Sequence, residues 1–83
     1  MQQFDFTGPA EIFVGGRRFG KRSSMTYRRF ETGAEAVRFA IERQSAEQLA
    51  ATVVEADDSR FAAAEILGLY RSAEYPFPRR NSA

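Results

Sequence analysis

Between residues 15 and 30 the chain reads GGRRFGKRSSMTYRRF, in which Arg17, Arg18, Lys21, Arg22, Arg28 and Arg29 are accompanied by no acidic residue. Guanidinium groups on a two-stranded ribbon can bind phosphates, and a β-ribbon is slim enough to enter the major groove of DNA, where Arg also pairs with guanine edges. Phe19 and Tyr27 lie among the cations, and aromatic rings so placed can stack on unpaired bases or cover sugars. The chemistry this stretch suggests is nucleic-acid contact, with all six cations as candidate binding residues. A competing reading has the same stretch as a solvated hairpin whose arginines pair with the acidic remainder of the chain.

The charge distribution sharpens that choice. The formal net charge is only +1, yet residues 1–11 carry Asp5 and Glu11 and no cation, residues 12–30 carry the six cations alone, and residues 31–75 carry nine acids against four Arg. Arg79 and Arg80 follow in the tail. An evenly solvated surface mixes its signs, so this polarity is a functional signal.

Other chemistries are poorly supplied. The chain of 83 residues has no Cys and no His, which removes disulfides, thiolate metal sites, the thiol nucleophile and the usual near-neutral acid–base group. Asp, Glu, Lys and Tyr remain, and no spacing brings two of them together in a cleft, so a non-enzymatic protein without cofactor or metal is expected. Asp57 and Asp58 before Ser59 read as a turn with a helix cap rather than a hard-metal corner, which needs a loop of further oxygen ligands. GGRRFGKRSS fails as a phosphate loop because Arg22 stands where a metal-binding Ser or Thr belongs, and no helix follows. The start MQQFDFTGPAEIF is neither basic nor apolar enough for a secretory leader, and no apolar run approaches a membrane span of roughly 18 residues. A cytoplasmic protein is the expectation, with no membrane partner.

Five elements must position the basic stretch. AEIFV at 10–14 alternates like a strand and is broken by Gly15 and Gly16; a polar connection runs to Ser24; MTYRRFE at 25–31 reads as a second strand, giving a long-looped hairpin. In that second strand Tyr27 is expected inward with Arg29 at the margin, and Phe30 closes the core next to the following helix. Thr32 and Glu35 form a T-x-x-E capping box opening a helix to about Arg43, with Val37, Ala40 and Ile41 as its apolar stripe and Phe39 off to one side. Ser45 and Gln48 suggest a second box and a short helical turn, AEQLA. ATVVEA at 51–56 is a third strand, and FAAAEILGLYRSA at 61–73 a helix with Ile66, Leu69, Tyr70 and Ala73 on one face. Pro76 and Pro78 stop it. In YPFPRR, Tyr75 and Phe77 are expected to fold back over the sheet or a helix end rather than serve as a proline-type ligand.

The expected class is therefore α+β with order β-β-α-β-α: a three-stranded antiparallel sheet, 2-1-3, with two helices packed on one face. One domain spans 1–83, as an N-terminal extension 1–9, a folded core 10–73 and an extended Pro-containing tail 74–83. With Ile12 and Val54 toward the helices, Phe13 and Val53 are left on the open face. That face and the sheet edge supply the alternative function, a protein-interaction module or homodimer.

YRRFETGAEAVRFAIE at 27–42, AEIF at 10–13 and LYRSAEYPFPRR at 69–80 resemble a family of short bacterial proteins of about this length with no assigned function. That family often has an acidic residue where Ala62 stands here, which leaves the cap of the last helix open. The pattern Y-x-x-F-x-T-x-x-E-A after a basic hairpin is also similar to the arm-type DNA-binding domain of tyrosine-recombinase integrases and its plant transcription-factor relatives, which lay a three-stranded sheet in the major groove. The shared residues, Phe30, Thr32, Glu35 and Ala36, are a strand end and a helix cap, and three strands rather than two precede the helix in those domains.

Overall fold

A computed structural model of the chain describes residues 4–18 and 21–78, for the stretch 16–25 at the level of the strand backbone. The elements are β1 (Ala10–Arg18), β2 (Lys21–Phe30), α1 (Gly33–Glu42), α2 (Ala46–Ala50), β3 (Thr52–Ala56), β4 (Ser59–Phe61) and α3 (Ala63–Arg71). The strands form one antiparallel sheet in the order β2-β1-β3-β4. The expected 2-1-3 arrangement is present, but the sheet has four strands, not three, and α2 makes a third helical segment.

The extra strand arises at the acidic turn. Asp57 and Asp58 both adopt positive φ, 56° and 66°, and Ala56 pairs directly with Ser59. This is a two-residue hairpin of the kind that requires left-handed backbone at both central positions. The chain therefore doubles back as Ser59–Phe61, where a helix cap was expected, and α3 starts two residues later than the sequence suggests. Its N-cap, Ala62, has no side-chain acceptor; only the reciprocal half of a cap is present, the Glu65 carboxylate accepting from the Ala62 N–H at 2.8 Å. Ala62 has the extended backbone of a cap residue, φ −87° and ψ −178°. Ala62→Asp should raise the unfolding free energy by about 1 kcal/mol, measured by chemical denaturation.

The other caps follow their residues. The Thr32 hydroxyl accepts from the Glu35 N–H at 3.2 Å, and Ser45 and Gln48 form a complete reciprocal box. Thr52, buried at the start of β3, donates to the Gln48 carbonyl and accepts from the Gln44 amide, which ties the end of α1 through α2 to the sheet.

All helices pack on the same face. Alternation places Ala10, Ile12, Val14, Val54, Ala56 and Phe61 toward the helices, where they meet Ala36, Val37 and Ala40 of α1 and Ile66 and Tyr70 of α3. The segments outside the sheet complete this core. Phe4 sets its ring edge against Phe61 at 5.1 Å, Phe6 lies against Tyr75, and the Ala34 N–H donates to the Phe6 carbonyl. Tyr75 is buried and packs on Tyr70, while Phe77 lies partly buried beside it. Residues 79–83, including Arg79 and Arg80, lie outside the described residues, as do 1–3. Among the described residues no helix is long and apolar enough to cross a membrane.

Candidate nucleic-acid interface

The basic stretch is more regular than its glycines and serines imply. Gly15 and Gly16 do not end the first strand. β1 continues to Arg18, and β2 begins at Lys21, so the connection comprises only two residues rather than the long loop expected. The register runs Ala10↔Phe30 to Val14↔Thr26, shifts once, and resumes at Gly16↔Ser23, Arg17↔Arg22 and Arg18↔Lys21. Across the shift Ser24 and Met25 of β2 stand opposite Gly15 alone, which is a β-bulge. β3 pairs with β1 only over Glu11–Val14, and the last link on that side is the Gly15 N–H to the Ala51 carbonyl at 3.0 Å. Beyond it β1 has β2 as its sole strand neighbour among the described residues. Arg17, Arg18, Lys21 and Arg22 thus sit on a two-stranded ribbon that outruns the sheet, with cationic residues directly opposite one another. Phe19 lies outside the described residues.

Arg28 and Arg29 lie nearer the sheet, on opposite faces. The register places Thr26, Arg28 and Phe30 on the helix side with Ile12, and Tyr27 and Arg29 on the open side with Phe13 and Glu11. Tyr27, expected inward, is consequently 52% exposed. The reason lies in what each arrangement leaves behind. Inward, Phe30 packs its ring against Phe39 at 5.4 Å, whereas Tyr27 keeps a partner outside, its hydroxyl donating to the Glu11 carboxylate at 2.8 Å and its ring lying 5.2 Å from Phe13. That hydrogen bond raises the Tyr27 pKa above the usual phenol value. Arg28 is tolerated on the helix side because β2 is an edge strand: its guanidinium crosses over the rings of Phe30 and Phe39, at 5.3 and 4.7 Å, while the residue stays exposed.

Among the described residues there is one ion pair, Arg60 Nε to Glu55 at 2.8 Å. Arg28 and Arg29, the cations of the basic stretch whose side chains are described, therefore do not neutralise the acidic part of the chain. Sequence spacing also missed two cations beside them. Arg38 and Arg43, from α1 and its C-cap, line a cavity of about 230 Å³ with Phe30, Phe39 and Glu35. The available signal was Phe39, an aromatic off the apolar stripe of its helix with an Arg beside it and another four residues on.

On the open face the register forms two rows across the sheet, Tyr27–Phe13–Val53 and Arg29–Glu11–Glu55–Arg60. Phe13 and Val53 are half-buried, less open than the sequence suggests. The charged row borders a cleft of about 430 Å³ that Asp57 and Asp58 also line. The fold thus gathers carboxylates that no sequence spacing announces. They do not act as a set: Glu11 accepts from Tyr27, Glu55 from Arg60, and no group of three or more metal-ligating residues occurs among the described residues.

The class these features define is a small α+β module, a four-stranded antiparallel sheet with its helices on one face and a basic ribbon extending from it. No family model matches the chain, and no curated protein or solved structure matches it.

Proposed function

We propose that the protein is a non-enzymatic, cytoplasmic nucleic-acid-binding module whose contact element is the β1–β2 ribbon, with Arg17, Arg18, Lys21, Arg22, Arg28 and Arg29 meeting phosphates. The observation that carries this reading is the register: Arg17 stands opposite Arg22, and Arg18 opposite Lys21. Like charges directly opposed across a strand pair destabilise it. Such a ribbon is at odds with the folding of the free chain and suited to a polyanion, whose phosphates remove the repulsion. Binding then releases counterions from the nucleic acid, which supplies most of a sequence-independent affinity. For duplex DNA, six phosphate contacts give a slope of roughly −5 in log affinity against log salt, from about −0.9 per contact. Fluorescence anisotropy at several salt concentrations measures it. No binding at low salt to duplex DNA, single-stranded DNA or RNA would dispose of the proposal.

A second reading, association through protein contact, is favoured by one feature. The open face carries Tyr27, the one exposed large hydrophobic residue among those described, next to Phe13. Light scattering after size exclusion separates the two: a monomer at high concentration leaves the ribbon as the functional element and removes self-association.

A further inference from the structure

The seam between β2 and α1 holds a feature that phosphate binding by the ribbon does not use. The Phe30 and Phe39 rings sit 5.4 Å apart at a tilt of 43°. The Arg28 guanidinium lies over both, and Arg38 and Arg43 border the adjoining cavity of about 230 Å³. Glu35 is the one carboxylate lining it. Arginine stems commonly cover apolar rings simply to shield them from water. Shielding accounts for Arg28, but it does not require two further guanidiniums around the same opening, in a chain whose net charge is +1, nor does it leave an opening. Arg38 has a ring of its own to cover, Phe77 at 4.8 Å.

We propose that this seam is a nucleobase subsite, which makes single-stranded nucleic acid the preferred ligand. An unpaired base stacks on the outer side of the Arg28 guanidinium, extending the column already formed by that group and the two phenyl rings, and the flanking phosphates lie against Arg38 and Arg43. Stacking on aromatic and guanidinium planes is the means by which proteins hold splayed bases, and it tolerates any sequence because every base has a π-face. Duplex DNA offers phosphates to the ribbon but no free base to the seam. The inference rests on the ribbon being a nucleic-acid contact, since β2 runs from the ribbon into Arg28 and Phe30.

The test compares three probes of equal length on the full chain: oligothymidylate, the same backbone with abasic sites, and duplex DNA. The ribbon contributes to all three and the seam to the first alone. Oligothymidylate should bind the parent roughly tenfold or more tightly than the abasic strand, the range expected of one stacked base. In Arg28→Gln/Phe39→Leu that ratio should fall to about one, with duplex binding retained. Arg43→Gln, an exposed change at a helix end, should lower the same ratio and serves if the double variant does not fold. Equal affinity of the parent for oligothymidylate and abasic strand overturns the subsite while leaving the ribbon in place. A ratio that survives in the variants also overturns it, because the base is then read elsewhere. Absence of binding to any probe overturns both proposals together.

Discussion

Replacing Arg17, Arg18, Lys21 and Arg22 together with Gln should abolish nucleic-acid binding at moderate salt and leave the unfolding midpoint unchanged or slightly raised. Near 0.1 M salt each released counterion contributes close to one decade of affinity, so losing four contacts costs about three to four orders of magnitude and reduces the duplex salt slope by roughly 3.6. Stability should move the other way, if at all. Exposed charges typically contribute about 0 to 1 kcal/mol, and the register of this ribbon sets like charges against like, so neutral residues relieve a repulsion. Arg28 and Arg29 are left in place because Arg28 covers two rings of the fold. Anisotropy and denaturant melts on the same samples supply both quantities. A variant that unfolds easily, from a parent destabilised by added salt, would identify the basic stretch as an internal counter-charge.

Gly33→Ala should damage the fold more than any exposed substitution. Gly33 opens α1 where the N-terminal segment crosses it, and a Cβ there would lie 2.6 Å from both the Asp5 carbonyl oxygen and Cζ of Phe4. The carbonyl cannot turn aside freely, because the same segment gives the Phe6 carbonyl to the Ala34 N–H and sets Phe4 against Phe61. Overpacking of this kind typically costs about 1 to 3 kcal/mol, and in a domain of this size about 4 to 8 °C of Tm for each kcal/mol. Gly68→Ala is the matched control: a Cβ at Gly68 meets nothing within 4 Å, and the change should stabilise α3 by roughly 0.5 to 1 kcal/mol. Calorimetry on both variants checks the pair. A neutral Gly33→Ala would mean that residues 4–8 do not dock on the start of α1.

The difference between those two glycines is invisible in the sequence, and it shows what local patterning can carry. Thr32, Ser45 and Gln48 act within three residues of themselves, so α1 and α2 were legible from spacing, as was the alternation of Ile12 and Val54. The hairpin was misjudged because Gly15, Gly16, Ser23 and Ser24 have the composition of a loop; the bulge opposite Gly15 absorbs them into paired strands instead. β4 was missed because SRF is three residues long, holds an Arg that faces Glu55 across the sheet, and depends on two aspartates taking backbone angles usually left to Gly or Asn. At the candidate site, the six cations could be read directly, but their opposition in pairs required the register. The seam of Phe30, Phe39, Arg38 and Arg43 joins an edge strand to a helix and has no signature in either alone.

Amide chemical-shift mapping of the isotope-labelled parent, titrated with a short single-stranded oligonucleotide at low salt, bears most directly on whether the ribbon is the contact element. Saturable shifts should concentrate on Gly16–Arg18 and Lys21–Arg29 and extend to Arg38 and Arg43, while Glu11, Glu55 and the residues of α3 stay in place. A spectrum that does not move, or shifts confined to the acidic cleft and the face bearing Tyr27 and Phe13, would contradict the assignment of the ribbon to nucleic acid.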